Sequence, residues 1–354
     1  MAATAQACYT KRPIPLTEAA IFRRLRTLSR PLRHWLLLVF VLSLAKLFKA
    51  LPRRLALGTG ALVGTAVYAL DWADRRRTIE HFRGAYPVET GPWHRRAARA
   101  VFAYWGSASA DFFTLGSLSP AELAHMIAEV HGVEYLRHGM AEGQGIVIIT
   151  PHLGHWEMMG QWVSAQRPLG VVARQLFDPR LDQALNAGRL NGGMRVFPRS
   201  TSAIPILRWL KDGNALGALA DQDTSVDSLF CEFFGRPAKT PTGAVVLSQV
   251  TRSVLITGYC WRRPDGRYVI EFEPPIPVPE RGERDPMALW PAAQEYTRRI
   301  EAKIRQHPEQ WVWMHRRWHS PMDEDSNGWQ KRHAQACRER MEAWAAAGRP
   351  ELTA

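Results

Sequence analysis

The chain has 354 residues, enough for one large domain with terminal additions and with no second globular unit repeating the first. Its 46 basic against 33 acidic residues leave a formal charge of +13, which implies an anionic partner: nucleic acid, a membrane surface or a phosphorylated substrate. Four cysteines, Cys8, Cys231, Cys260 and Cys337, lack paired spacing, so neither a zinc site nor a disulfide framework is expected, in keeping with a reducing compartment.

Position decides among the anionic partners. Arg23, Arg24, Arg26, Arg30 and Arg33 precede the apolar run Trp35–Ala45, and Lys46, Lys49, Arg53 and Arg54 follow it. A second uncharged stretch, Leu55–Leu70, is followed by Arg75, Arg76 and Arg77. This is a membrane-edge pattern, and it sets nucleic acid aside. A spanning helix wants about twenty apolar residues, so Trp35–Leu51 crosses a bilayer only if Lys46 and Lys49 snorkel. Lying in the headgroup layer is the second reading, and a buried hairpin of core helices the third. The apolar run begins too late, and lacks the small-residue site, for a cleavable signal peptide. The expected division is a basic tail over 1–30, a membrane-anchoring helical segment over 31–70, the main domain over 71–321 and a helical tail over 322–354.

Gly145–Glu157, GIVIITPHLGHWE, is the most informative segment. Ile146 to Ile149 form a β-branched run expected of a strand buried on both faces. Thr150-Pro151 ends it, since the residue before proline is held out of the α region. From Trp156 through Met159, Trp162 and Val163 the apolar spacing is helical, so His152 falls at a strand-to-helix junction. A neutral imidazole can act as a base if one nitrogen is free and the other is held by a partner. Glu157, about one and a half turns further on, is the expected partner. No Ser or Cys stands in a nucleophile-elbow context, so the hydroxyl to be activated belongs to a substrate.

Further on, strands are expected at Leu169–Ala173, Met194–Phe197, Ala215–Ala220, Val254–Tyr259 and Tyr268–Phe272. Helices are expected at Pro179–Leu190, Ala203–Lys211, Gly243–Arg252 and Met287–Gln306, with Gly213 stopping the second of these. The alternation is that of an α/β layer structure. Ser200, Thr201 and Ser202 suit helix capping, and a helix start there suits phosphate. Asp221 and Asp223 end a strand and so sit near the ligand crevice of an open sheet; ordering of neighbouring loops or basic residues is favoured over magnesium, which wants more oxygen ligands. Thr240-Pro241-Thr242-Gly243 reads as the opening of a helix. Phe230, Phe233 and Phe234 are mostly core, and Trp311, Trp313 and Trp318 either pack beneath the sheet or meet lipid. Met314-His315-Arg316-Arg317 is expected to face charged ligand or headgroups.

His152, four intervening residues and Glu157 resemble the HX4(D/E) motif of the glycerolipid and lipid A acyltransferases. Asp221-Gln222-Asp223, Phe233-Phe234-Gly235, Ala238, Thr240, Thr242 and Gly243 follow in order, as does the closing segment Pro308–Trp318. Together, over roughly Arg33 to Pro321, they are similar to the bacterial lipid A biosynthesis (lauroyl/myristoyl) acyltransferase family. His155 departs from it, standing where many members carry Asn; it is assigned a supporting hydrogen bond or a share in the proton work, with His152 as the base. The resemblance implies a mixed, mostly parallel sheet with helices on both faces, joined here to N-terminal membrane-associated helices. It also implies that Arg174 lies in the active-site groove, on a phosphate or the developing oxyanion, and that Arg199 meets an acceptor phosphate.

The expected enzyme is a membrane-associated O-acyltransferase. His152 deprotonates a hydroxyl of a lipid A precursor or related glycolipid as it attacks an acyl carrier protein or acyl-CoA thioester. Glu157 orients His152, while Arg174, Arg199, His155, Asp221 and Asp223 serve substrate. No metal or cofactor is required. The expected place is the cytoplasmic side of a bacterial inner membrane, on an anionic surface. The alternatives are a lysophospholipid acyltransferase, a metallohydrolase using His152, His155 and Glu157, and a non-catalytic membrane scaffold.

Overall fold

The computed structural model describes residue 35 and residues 38–141, 143–175, 178–199, 202–223, 225–322 and 328–350. The basic tail over 1–30, with Arg23, Arg24, Arg26 and Arg30, and also Arg33, Ser200 and Thr201, lie outside the described residues. By contact density, residues 1–47 and 48–354 are two units. In the first, residues 38–47 are helical, with Val39, Phe40, Leu42 and Leu47 exposed.

The second unit opens with helices α1 (Arg53–Leu70), α2 (Trp72–Ala85) and α3 (Gly91–Thr114), and the shorter α4 (Pro120–Met126) and α5 (Val133–Ala141) come next. Helix α1 packs along α3 through glycine: a Cβ at Gly60 or Gly64 would overlap the backbone of Gly106 or Phe102. Such close approach is open only to small residues. The other face of α1 carries Leu55, Leu62 and Leu70, all exposed, and α2 begins at an exposed Trp72. Among the described residues no single helix is long and apolar enough to cross a membrane, although α1 and α2, bent by 92°, pass that test as a pair.

A seven-stranded sheet follows. Its strands are β1 (Ile127–His131), β2 (Ile146–Thr150), β3 (Leu169–Ala173), β4 (Arg195–Pro198), β5 (Ala215–Leu219), β8 (Val254–Arg262) and β9 (Tyr268–Phe272), in the order β1-β9-β8-β2-β5-β3-β4. Only β8 and β9 pair antiparallel; the other neighbours are parallel. Strand β2 is central and buried throughout, and its side chains alternate between two cores. Ile146 and Ile148 join Met158, Met159 and Val163 of α6 (Trp156–Gln166) on one face. Val147 and Ile149 join residues of α8 (Ile204–Lys211), α9 (Gly243–Thr251) and α10 (Trp290–Gln306) on the other. The fold is therefore the expected α/β layer structure with helices on both faces.

The segment after β5 departs from the sequence reading. Strands β6 (Ser228–Phe233) and β7 (Arg236–Pro241) form a separate antiparallel hairpin. Its two-residue turn has positive φ at Phe234 (53°) and Gly235 (70°), the geometry that matches the twist of paired strands. Thr240 and Pro241 therefore belong to a strand rather than a helix opening, and Thr242 donates to Asp227 instead of capping α9. Phe230, Phe233 and Phe234 are all buried. Trp311 and Trp313 are core as well, Trp311 edge-on to Phe233 and Trp313 stacked on Phe82, and take no part in a lipid surface. Arg317, expected to face ligand, is buried too: its guanidinium donates to the Lys239 carbonyl and to Thr240 Oγ1, tying the closing segment to β7.

Candidate active site

Strand β2 runs in parallel register with β5, Thr150 opposite Leu219. Two residues further along each strand, that register sets His152 beside Asp221. The carboxylate grips the histidine twice, accepting from its backbone N–H and meeting its Nδ1, each at 2.7 Å. Trp311 Nε1 donates to the same Asp221 Oδ2 at 2.7 Å. Asp221 is almost fully enclosed, and burial alone would raise its pKa. The facing His152 and the hydrogen bonds from His152 and Trp311 outweigh that and lower it to about 2. A charged carboxylate on Nδ1 leaves Nε2 as the nitrogen available for proton transfer.

The turn carrying His152 is held on both sides. Val312 N donates to the His152 carbonyl, Gly154 N to Gln310 O, and His155 N to Cys260 O. Gly154 has φ of +62°, and a Cβ there would strike the Cys260 carbonyl, so this turn requires glycine.

Glu157 corrects the expected pairing. Its carboxylate is held by Arg189 of α7 (Pro179–Asn191), with Nε at 3.0 and 3.1 Å and a closer contact from the terminal nitrogen. It also accepts from Trp156 Nε1 at 3.2 Å, and the Trp156 ring lies edge-on to His152 at 5.0 Å. The physical reason is that His152 lies outside the helix: three residues of turn separate it from Trp156, so helical periodicity does not bring residues 152 and 157 together. Glu157 reaches His152 only through the indole.

His155 is likewise removed from solvent. Its ring stacks on Phe112 at 4.7 Å, and its Nδ1 accepts from Met158 N at 3.4 Å as the N-cap of α6. Burial lowers its pKa to about 4. This is the supporting hydrogen bond; a share in proton transfer does not suit a ring at 0 % exposure. His152, His155 and Glu157 thus point to three different partners and do not converge as metal ligands. Among the described residues no group of three or more His, Cys, Asp or Glu side chains is placed to hold a metal.

Asp223 accepts from the backbone and hydroxyl of Ser320, which fixes the closing segment. Arg174 and Arg199 are exposed at the ends of β3 and β4, and Arg199 N donates to Ala173 O. Neighbouring strands lie about 4.8 Å apart, so β3 is roughly 10 Å and β4 roughly 14 Å from β2. That separation suits a phosphate at the rim of the crevice better than an oxyanion beside His152.

Two further side chains meet at the histidine. Gln222 Nε2 lies 3.0 Å from His152 Nε2 and 2.8 Å from His315 Nε2, and the two imidazole rings are 5.2 Å apart. Arg189 was not marked by sequence, Gln222 stood only inside the Asp221–Asp223 block with no role of its own, and His315 only in a run expected to face ligand; a polar residue directly after a strand end is the signal that points to Gln222. On the other side of the junction Glu157 and Arg189 help line a mostly apolar cavity of about 50 Å³, together with Ile148, Val163, Leu169, Val171, Met194 and Gly217 among others.

Residues 23–320 match the bacterial lipid A biosynthesis acyltransferase family. A phosphatidylinositol mannoside acyltransferase of Mycolicibacterium smegmatis is 25% identical over 287 residues, 79% of this chain and 90% of that protein. A lipid A biosynthesis lauroyltransferase of Escherichia coli is 28% identical over 192 residues, 53% of this chain and 61% of that protein. A lipid A biosynthesis acyltransferase of Haemophilus influenzae is 22% identical over 285 residues, 79% and 85% of the two chains. With a central parallel strand delivering His152 to the crevice, and the match running over most of its length, this chain belongs to the bacterial lipid A biosynthesis acyltransferase family.

Proposed function

We propose that this acyltransferase moves a fatty acyl chain from an acyl carrier protein or CoA thioester to a hydroxyl of a lipid A precursor or related glycolipid, with His152 as general base. The observation that carries the reading is the grip of the buried Asp221 on His152 Nδ1, which leaves Nε2 for the substrate. Nε2 takes the hydroxyl proton as the oxygen attacks the thioester carbonyl, and Asp221 stabilises the imidazolium formed. The thiol is a good leaving group, so positioning and a base suffice without a covalent enzyme intermediate. No metal or cofactor enters these steps. The first turn of α6 offers a positive helix end to the developing oxyanion, and Arg174 and Arg199 hold phosphate at the rim.

The apolar cavity beside Glu157 is the place for the start of the acyl chain. One water's share of liquid volume is about 30 Å³, so a cavity of about 50 Å³ is a crease, and a long chain enters only if α7, carrying Arg189, shifts outward. The exposed Leu55, Leu62, Leu70 and Trp72, with Arg76 over the Trp72 ring at 5.4 Å, form a seat for the headgroup layer of an anionic bilayer. Such a seat supports the reading that the enzyme works at the cytoplasmic face of the inner membrane.

Lipid analysis of the host with and without the gene tests the reading. Loss of one acyl chain from a lipid A species or another glycolipid supports it; loss confined to glycerophospholipids moves the acceptor to a lysophospholipid. Purified protein that transfers no acyl group from either thioester would overturn it.

A further inference from the structure

We propose that His315 is a positioning residue for His152, acting through the Gln222 amide; the inference rests on the reading of His152 as the base. Three separate segments meet here: His152 after β2, Gln222 after β5 and His315 in the closing segment. Gln222 Nε2 lies 3.0 Å from one ring nitrogen of His152 and 3.2 Å from the other. Those nitrogens flank one carbon, so a point nearly equidistant from both within the ring plane would overlap that carbon. The amide therefore sits over the face of the imidazole.

An amide nitrogen only donates. Its contact with His315 Nε2 at 2.8 Å is thus an N–H given to an unprotonated ring nitrogen. The chemistry around His315 agrees: burial, with the charges of His152 and Arg77, lowers its pKa to about 4, the carboxylate of Asp221 acting in the opposite sense. His152 is held in its plane by Asp221 and over its face by Gln222, and the in-plane lone pair of Nε2 stays clear. Remove the acceptor on His315 and the amide is free to turn. It can then donate to Nε2 itself and compete with the acceptor hydroxyl for the base.

The test is a double-mutant cycle with a matched pair of substitutions. His315→Ala and Gln222→Ala should each lower kcat about tenfold, a fraction of what misplacing a catalytic group by an ångström costs, with the KM for acyl thioester unchanged. The double variant should lose no more than either single one. His315→Gln, which restores an acceptor at the same reach, should recover turnover that His315→Met does not. A multiplicative loss of about a hundredfold in the double variant, or equal turnover in His315→Gln and His315→Met, would overturn the proposal, and the matched pair keeps the test open if the alanine variants melt early. Ring nitrogen shifts of His152 in 15N-histidine protein without substrate provide a second reading. The Nδ1–H tautomer is expected in both the wild type and His315→Met, with the Nε2 resonance of the variant moved upfield by the hydrogen bond it newly accepts, and identical spectra overturn the inference. A wild type that transfers no acyl group would instead sink the proposed function, and the ring spectra would still decide the role of His315.

Discussion

The crevice around His152 and the crease beside Glu157 lie on either side of one turn, yet they are built by opposite means. In the crevice a largely buried His152, its side chain 16 % exposed, is gripped by a carboxylate at 1 % exposure, whose other hydrogen bond comes from the indole of Trp311. In the crease the carboxylate is spent on an arginine, and the space beyond it is lined by aliphatic side chains and glycine. The contrast sets the two ends of the HX4E motif in different surroundings. In the proposed reaction His152 takes the hydroxyl proton, while Glu157, paired with Arg189, lines the apolar cavity and accepts from the Trp156 indole that lies edge-on to His152.

The largest expected effect breaks the crevice. His152→Ala should lower turnover by about two to four orders of magnitude, the usual worth of a general base, and retention of a tenth of wild-type kcat would refute the assignment. Asp221→Asn should follow at about two orders, since the amide keeps the shape and loses the charge that stabilises imidazolium. Glu157→Gln should cost less, about tenfold, and should raise the KM for long-chain thioesters more than for short ones. If Asp221→Asn proves milder than Glu157→Gln, the division of labour is the reverse of the one drawn here.

On the membrane seat, Leu62→Asp with Leu70→Asp should reduce flotation with anionic vesicles while leaving the melting temperature near that of the wild type, because both side chains are exposed. Unchanged flotation at high salt would place the anchor elsewhere, the segment before residue 48 being the next to test.

The smallest effect sharpens the joint between the two regions. His155 has its pKa lowered from 6.5 to about 4 by burial, so the unfolded chain binds a proton that the folded protein refuses. Its stability contribution is complete above pH 6.5 and is lost as pH falls toward 4, with a slope of at most about 1.4 kcal/mol per pH unit. His155→Asn keeps an acceptor for Met158 N and has nothing to protonate. Denaturant melts across this window should show a shallower acid slope in the variant, the remainder coming from His81, His307 and His315, whose pKa values burial also lowers. Identical slopes would mean that His155 is not buried neutral in solution.

Much of this was legible one element at a time. The β-branched run at Ile146, the stop at Thr150-Pro151 and the apolar spacing after Trp156 identify a strand, a turn and a helix, because burial on both faces and helical period leave local marks. The strands at Leu169–Ala173 and Tyr268–Phe272 were readable to the residue for the same reason. The β6–β7 hairpin was not: its turn uses Phe234 at positive φ, where sequence suggests no turn, and Thr-Pro-Thr-Gly imitates a helix start.

By itself, then, the chain determined that His152 stands at the junction between a buried strand and a helix, that the fold is α/β, and that the family motifs occur in order. Which carboxylate meets that histidine was decided only in three dimensions. Asp221 lies far along the chain from His152 and becomes its neighbour because β5 pairs with β2 in parallel register, a choice of sheet order to which local spacing is blind. Glu157 is near in sequence, but the turn at Gly154 and the N-cap at His155 start a new helix between the two residues, and the helix directs its carboxylate to Arg189.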